Sequence, residues 1–188
     1  MPLNQASRRP DVEMDAGQDA EVPWERLESL HRESFGWARS CCRQDAEEAE
    51  NVLQAVYLKI CERKAVFDGR SALRTWLFAV IRKTAAEGRR RRFLKRLALA
   101  RRELAEPPPA PPPDPEQAVY RTEVRTAFRA LVARLPRRQS EVLQLVFYHD
   151  LSLSEAAAVM AVSLGSARTH YERGKRRLRA AMASAGVR

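Results

Sequence analysis

The stretch FDGRSALRTWLFAVIRKTAAEGRRRRF, residues 67–93, decides the fold. Asp68 and Gly69 make a turn, and Ser71 is placed to cap a helix. Leu73, Trp76, Leu77, Val80, Ile81 and Thr84 then recur at the spacing of a helix with one buried face. The other face is basic: Arg74, Arg82 and Lys83, followed by Arg89 to Arg92, put cations beside Phe78 and Trp76. Cations mixed with aromatic rings suit a phosphate track that also stacks unpaired bases. Trp76 fits two roles, a core residue on the apolar stripe or a base-stacking surface, and the first is the commoner one for a tryptophan at that spacing.

Working upstream, QDAEEAENVLQAVYLKICERK carries Leu53, Val56, Tyr57, Ile60 and Cys61 at i, i+3, i+4, i+7 and i+8, a second core-facing stripe, with Asp45 as the cap of its helix. Before it, WERLESLHRESFGWARSCC supplies Leu27, Leu30, Ala38 and Cys41 or Cys42 to another helix. Three cysteines in no CxxC or zinc-finger spacing read as buried thiols, core packing outweighing redox sensing for Cys41 and Cys42. No metal or cofactor is expected.

Downstream, seven of the eleven prolines fall between Pro107 and Pro115, a composition that favours extended polyproline II. At about 3.1 Å per residue these positions reach roughly 28 Å, enough for a semi-rigid spacer that holds two lobes apart. The expected organisation is all-α: a disordered tail over 1–23, a first helical domain over 24–98, a Pro-rich linker over 99–116 and a second helical domain over 117–188.

In the second lobe, Pro136 suits a helix's first turn, and Val142, Leu145 and Val146 follow at helical spacing. A break comes at His149 and Asp150. Ser152 and Glu155 form an S-x-x-E capping box opening a short helix from Leu153 to Met160. After a turn at Ala161 and Val162, Ser163 caps another. This is a helix-turn-helix pattern: Ala156 and Ala157 allow close approach, and Val162, Ala167 and Tyr171 pack between the helices. Arg168, Thr169, His170, Arg173, Lys175 and Arg176 put donors on the last helix, where a major-groove reader meets base edges and phosphates.

Charge is sorted along the chain. The whole carries +10, yet residues 1–50 hold 12 acidic and 6 basic groups, residues 70–103 hold 2 acidic and 12 basic, and residues 137–188 hold 4 acidic and 9 basic. Two basic segments point to two nucleic-acid contacts, although any single basic run is as readily a solvated face. No apolar run is long enough to span a bilayer and the amino terminus lacks a signal-peptide stretch, so a soluble, cytoplasmic protein without membrane insertion is expected.

Residues 67–85 resemble the DNA-melting segment of extracytoplasmic-function (ECF) sigma factors, whose usual pattern is F-x-G-x-S-x-L-x-T-W-L followed by a basic helix. EAENVLQAVYLKI resembles that family's core-polymerase-binding helix, usually D-A-E-D-L-V-Q-E-x-F-L, with Gln54, Tyr57 and Leu58 in register. Leu135 to Leu145, Leu151 to Ala157 and Ser163 to His170 resemble the region that reads the minus-thirty-five element. Asn51 stands where the family usually has Asp, Ala55 where it often has Glu, Lys83 where Asn is common and His170 where Arg is usual. The promoter sequence is therefore open.

The resemblance implies a sigma factor that binds core RNA polymerase, directs it to promoters and assists melting, with no catalytic residues of its own. It implies core-polymerase contacts at Glu50, Asn51, Gln54, Tyr57 and Leu58. It places minus-ten binding and melting at Arg70, Ser71, Arg74, Thr75, Trp76, Arg82 and Lys83, and minus-thirty-five binding at Ser163, Ser166, Arg168, Thr169, His170, Arg173, Lys175 and Arg176. Its partners would be core polymerase, promoter DNA and an anti-sigma factor. An autonomous helix-turn-helix regulator is the competing reading; binding that requires core polymerase separates the two. An enzyme is the poorest reading: G-x-x-x-x-G-K-[ST], H-E-x-x-H and G-x-S-x-G are all absent, and His31, His149 and His170 are far apart.

Overall fold

A computed structural model describes residues 22–100, 131, 132 and 134–184, and every regular element among them is a helix. The amino-terminal tail to residue 21 and the proline-rich spacer lie outside the described residues. The first lobe comprises α1 (Trp24–Ser29), α2 (His31–Cys41), α3 (Ala46–Cys61) and α4 (Leu73–Ala100). The second comprises α5 (Arg137–Phe147), α6 (Leu153–Met160) and α7 (Leu164–Ser184).

The local signals act as their chemistry requires. Asp45 accepts a hydrogen bond from the Glu48 backbone N–H at 2.9 Å, opening α3. In the capping box, the Ser152 hydroxyl accepts from Glu155 N–H at 3.2 Å and the Glu155 carboxylate accepts from Ser152 N–H at 2.8 Å. The helix-turn-helix bend is made by Ala161 in the left-handed region (φ 52°), and Ser163 then accepts from Ser166 N–H at 3.2 Å. Gly174 lets α7 approach α5 closely: a Cβ there would stand 3.1 Å from Leu143 Cδ1.

Four expectations are corrected. Residues 24–42 form two helices, divided by a turn at Leu30, with Leu27 and Trp37 buried on either side of it. On α3 the buried stripe is Ala49, Val52, Leu53 and Val56; Cys61, five residues beyond Val56 and so rotated by about 140°, is exposed. The Ser71 hydroxyl donates to the Ala72 carbonyl at 3.4 Å instead of accepting from the first turn of α4. Phe78, read as part of the basic face, is fully buried, and Arg89 to Arg92 lie about 18 Å further along the helix, not beside it.

The largest departure is between the lobes, which pack directly instead of standing apart. One apolar cluster runs from Trp37, Leu77, Phe78, Ile81 and Ala85 into Val142, Leu145, Ala156, Val159 and Met160, and α4 lies along α6. The second lobe's separate core is small: Val132, Leu143 and Leu178. Much of its burial is thus shared with the first lobe, which period alone cannot reveal because an apolar face looks the same whichever partner covers it.

Candidate nucleic-acid interface

Three surfaces carry the expected site residues. On α3, Glu50, Asn51, Gln54 and Leu58 are exposed, with Leu58 58% accessible. Tyr57 is half-buried beside them: its hydroxyl lies 2.9 Å from His31 Nδ1, and its ring meets Trp24 edge-on at 5.9 Å. Trp24 is itself 55% exposed, so this ridge offers an aromatic anchor that the sequence reading passed over. An exposed tryptophan packed against a tyrosine is the composition of a protein-binding hot spot. The available signal was a tryptophan off the periodic apolar stripe.

At the start of α4 the candidates divide. Arg70 is exposed, paired only loosely with Asp68 at 3.5 Å, and Lys83 is exposed. Trp76 is half-buried against Phe67, ring centroids 5.4 Å apart, so one edge joins the core and the other stays accessible. Thr75 is buried. Arg74 pairs with Glu33 at 2.9 Å, donates to the His149 carbonyl and lies 5.7 Å from the Phe78 ring centroid. Arg82 donates through Nε and Nη2 to Glu141 of the second lobe, both at 3.2 Å. Thus Arg74 and Arg82, expected on DNA, are engaged by the chain itself.

Further along α4, Arg89 donates to the Cys41 carbonyl at 2.7 Å and Arg92 to Glu48, tying the helix to its own lobe. Arg90, Arg91, Lys95 and Arg96 remain exposed as a cationic run. Cys41 and Cys42 lie beneath. Burial, followed by the nearby Glu48, pushes the Cys42 thiol up to about 12, and burial raises Cys41 further. Both are protonated thiols at neutral pH and pack as small apolar groups.

On α7 the helical period gathers Arg168, Thr169, Arg173 and Arg176 on one exposed face. Arg179, one turn further on, extends it and was missed because it lies beyond the motif. Ser163 and Ser166 are exposed at the first turn, their hydroxyls 3.0 Å apart. His170 is half-buried at the edge. Lys175 stands to one side, paired with Glu172 at 2.9 Å and 4.5 Å above the Tyr171 ring, which in turn stacks on the exposed Phe147.

A long basic helix followed by a helix-turn-helix is the arrangement expected of a class, the RNA polymerase sigma factors. The comparisons agree: residues 27–96 match the model of sigma-70 region 2, and residues 125–178 match that of sigma-70 region 4. The chain is 29% identical over 138 residues to the RNA polymerase sigma-H factor of Pseudomonas aeruginosa, covering 70% of this chain and 71% of that protein. It is 28% identical over 144 residues to the ECF sigma factor SigX of Bacillus subtilis, covering 72% and 71%. Among solved structures, the fold is similar to the sigma factor RpoE of Bartonella quintana in complex with the anti-sigma factor NepR. The TM-score is 0.62 and the identity 20%, over 82% of this chain and 92% of that one. It is also similar to CnrH in complex with the cytosolic domain of CnrY, with TM-score 0.54 and 19% identity over 86% and 88%. The chain belongs to the ECF subfamily of the sigma-70 family. It is a promoter-specific transcription initiation factor and not an enzyme.

Proposed function

We propose that this sigma factor divides its work among three surfaces. The α3 ridge of Glu50, Asn51, Gln54, Tyr57 and Leu58, extended by Trp24, holds core polymerase. The start of α4, with Arg70, Ser71, Arg74, Thr75, Trp76, Arg82 and Lys83, binds and melts the minus-ten element. The α7 face of Arg168, Thr169, Arg173 and Arg176, with Ser163, Ser166, His170 and Lys175 at its margins, reads the minus-thirty-five element. The domain limits follow: region two over 24–98, linker over 99–116 and region four over 117–188. A factor that works on promoters acts in the cytoplasm, here under control of an anti-sigma partner of the kind seen with RpoE. No helix among the described residues is long and apolar enough to cross a membrane.

The observation that carries this reading is the exposed cationic face of α7 in the same chain as the basic α4 and the mixed polar and aromatic α3 ridge. Melting needs captured bases and a cationic path for the displaced strand, and only a chain that also grips the polymerase can couple them to transcription. The test is transcription by purified core polymerase from a genomic promoter library, with and without the protein, reading RNA ends. New starts that share two spaced upstream motifs support the proposal. No new starts, with duplex binding retained in the absence of core, would mean an autonomous regulator.

A further inference from the structure

The α4 helix outruns the lobe it belongs to. Over residues 73–98 its last buried position is Ala85, and from Arg90 to Ala98 every residue is exposed. Phe93, Leu94 and Leu97, 66%, 51% and 46% accessible, follow Arg90 at i+3, i+4 and i+7 and so share one stripe. By the same period Arg91 and Lys95 border the stripe on one side and Arg96 on the other. Arg89 and Arg92 are tied to the Cys41 carbonyl and to Glu48, but Arg90, Arg91, Lys95 and Arg96 meet no carboxylate among the described residues. A bare apolar stripe flanked by unpaired cations is completed by a partner that is both apolar and acidic. The chain carries such a segment: residues 11–21, DVEMDAGQDAE, hold Asp11, Glu13, Asp15, Asp19 and Glu21, no cation, and the apolar Val12 and Met14 between the first three acids. It also lies within reach. Val22 packs against the first lobe's core and Trp24 against Tyr57, two residues before the Lys59 that bonds Thr84 and Glu87 of α4. From Thr84 to Lys95 is about 16 Å of helix, whereas ten extended residues ahead of Val22 span up to about 33 Å.

From this complementarity we propose that the distal surface of α4 is a docking site for the chain's own acidic segment, residues 11–21. Its carboxylates pair with Arg90, Arg91, Lys95 and Arg96, and Val12 and Met14 cover the stripe of Phe93, Leu94 and Leu97. Each exposed ion pair is weak alone, but five carboxylates on one short tether act together, because the tether holds them near the cations at high effective concentration. A guanidinium engaged by a carboxylate is not free for a phosphate. A duplex must therefore displace the segment before it uses these four cations, so the segment shields them from arbitrary DNA. The shielding rests on the reading of α4 as a DNA-binding helix; the docking itself does not.

The test reads docking without reference to DNA. A carbodiimide joins a carboxylate directly to a lysine amine only where the two dwell in contact, and the chain's lysines, Lys59, Lys64, Lys83, Lys95 and Lys175, sample both lobes. The full chain, as an equal mixture of isotope-labelled and unlabelled protein, is treated and its links are mapped by mass spectrometry. The Lys59 to Glu87 and Lys175 to Glu172 pairs serve as internal standards. The proposal expects residues 11–21 to link to Lys95 several-fold more than to any other lysine, within one chain. That link should fall several-fold at about 1 M salt, where the screening length is about 3 Å. It should fall likewise in the triple variant Arg90→Gln, Arg91→Gln, Arg96→Gln, which keeps Lys95 as reporter and is checked for native helix content by circular dichroism. Links spread evenly over the lysines, links favouring Lys175, or no link from residues 11–21 while the standards form, overturn the docking site. Links of mixed isotope overturn it in favour of a second copy, and a yield unchanged in the folded triple variant overturns the role of the arginines. Random-sequence duplex should compete the Lys95 link away; a link that persists while duplex is bound overturns the shielding and with it the DNA role of this end of α4, and leaves the docking standing.

Discussion

Glu141 is the residue on which the lobe junction turns. It is a buried carboxylate serving three guanidinium groups, and Arg82 is nearly buried with it. Removing one partner of a buried pair strands the other charge, which costs about 3–5 kcal/mol. Glu141→Ala should therefore lower the unfolding free energy by that order in denaturant titration. Lys59→Ala, which breaks the more exposed pair with Glu87 at 2.7 Å, should cost under about 1 kcal/mol. His149 makes the junction sensitive to acid. Burial, then the nearby Arg74, lowers its pKa to about 4, whereas Asp150 opposes the shift. The folded state thus prefers the neutral ring. Its contribution is full above the ordinary histidine value of about 6.5 and is lost as pH falls from there towards about 4, because the opened chain takes the proton first. The unfolding free energy in denaturant titration should accordingly fall between pH 7 and pH 4.5 more steeply in the wild type than in His149→Gln; equal pH profiles for both chains would assign the change to other groups.

At the scale of the element, the face of α7 on which each cation lies sets what its removal is expected to do. If the exposed face lies on the duplex, Arg173→Ala should reduce the slope of log K against log salt by about one, whereas Lys175→Ala, already paired with Glu172, should change it less. Equal slopes for both substitutions would mean that α7 docks on a different side. The capping box of α6 is a purely local device: Ser152→Ala should cost about 1 kcal/mol in thermal unfolding. Here the sequence was most legible, because caps and turns act over three or four residues. The bounds Leu153 to Met160 and the turn at Ala161 follow from Ser152, Glu155 and Ser163 without reference to the rest of the chain. Long helices were less legible at their faces. Cys61 belongs to the helical period of α3 only until that helix turns its end out of the core, and Trp24 gave no periodic signal because its exposure is the point of interest.

For the molecule as a whole, the shared core implies joint unfolding. Val142, Leu145 and Met160 are fully buried only while the first lobe covers them together with α6 and α7, so the wild type should unfold in one transition by calorimetry. His149→Arg should divide it, the second lobe melting at the lower temperature. A divided transition in the wild type would count against the common core. By itself the sequence determined the class of element, the position of the caps, the helix-turn-helix and the cationic surfaces, since period, capping chemistry and charge are properties of neighbouring residues. The resemblance of two separate motifs in their order then pointed to the family. Only the tertiary structure decided that the lobes close on each other, that Phe78 is core and that Arg74 and Arg82 are engaged within the chain. Those facts depend on pairings 59 and 75 residues apart, between Arg82 and Glu141 and between Arg74 and His149. A buried guanidinium and one facing DNA are the same letter in a sequence; which it becomes is set by whatever carboxylate the fold brings opposite.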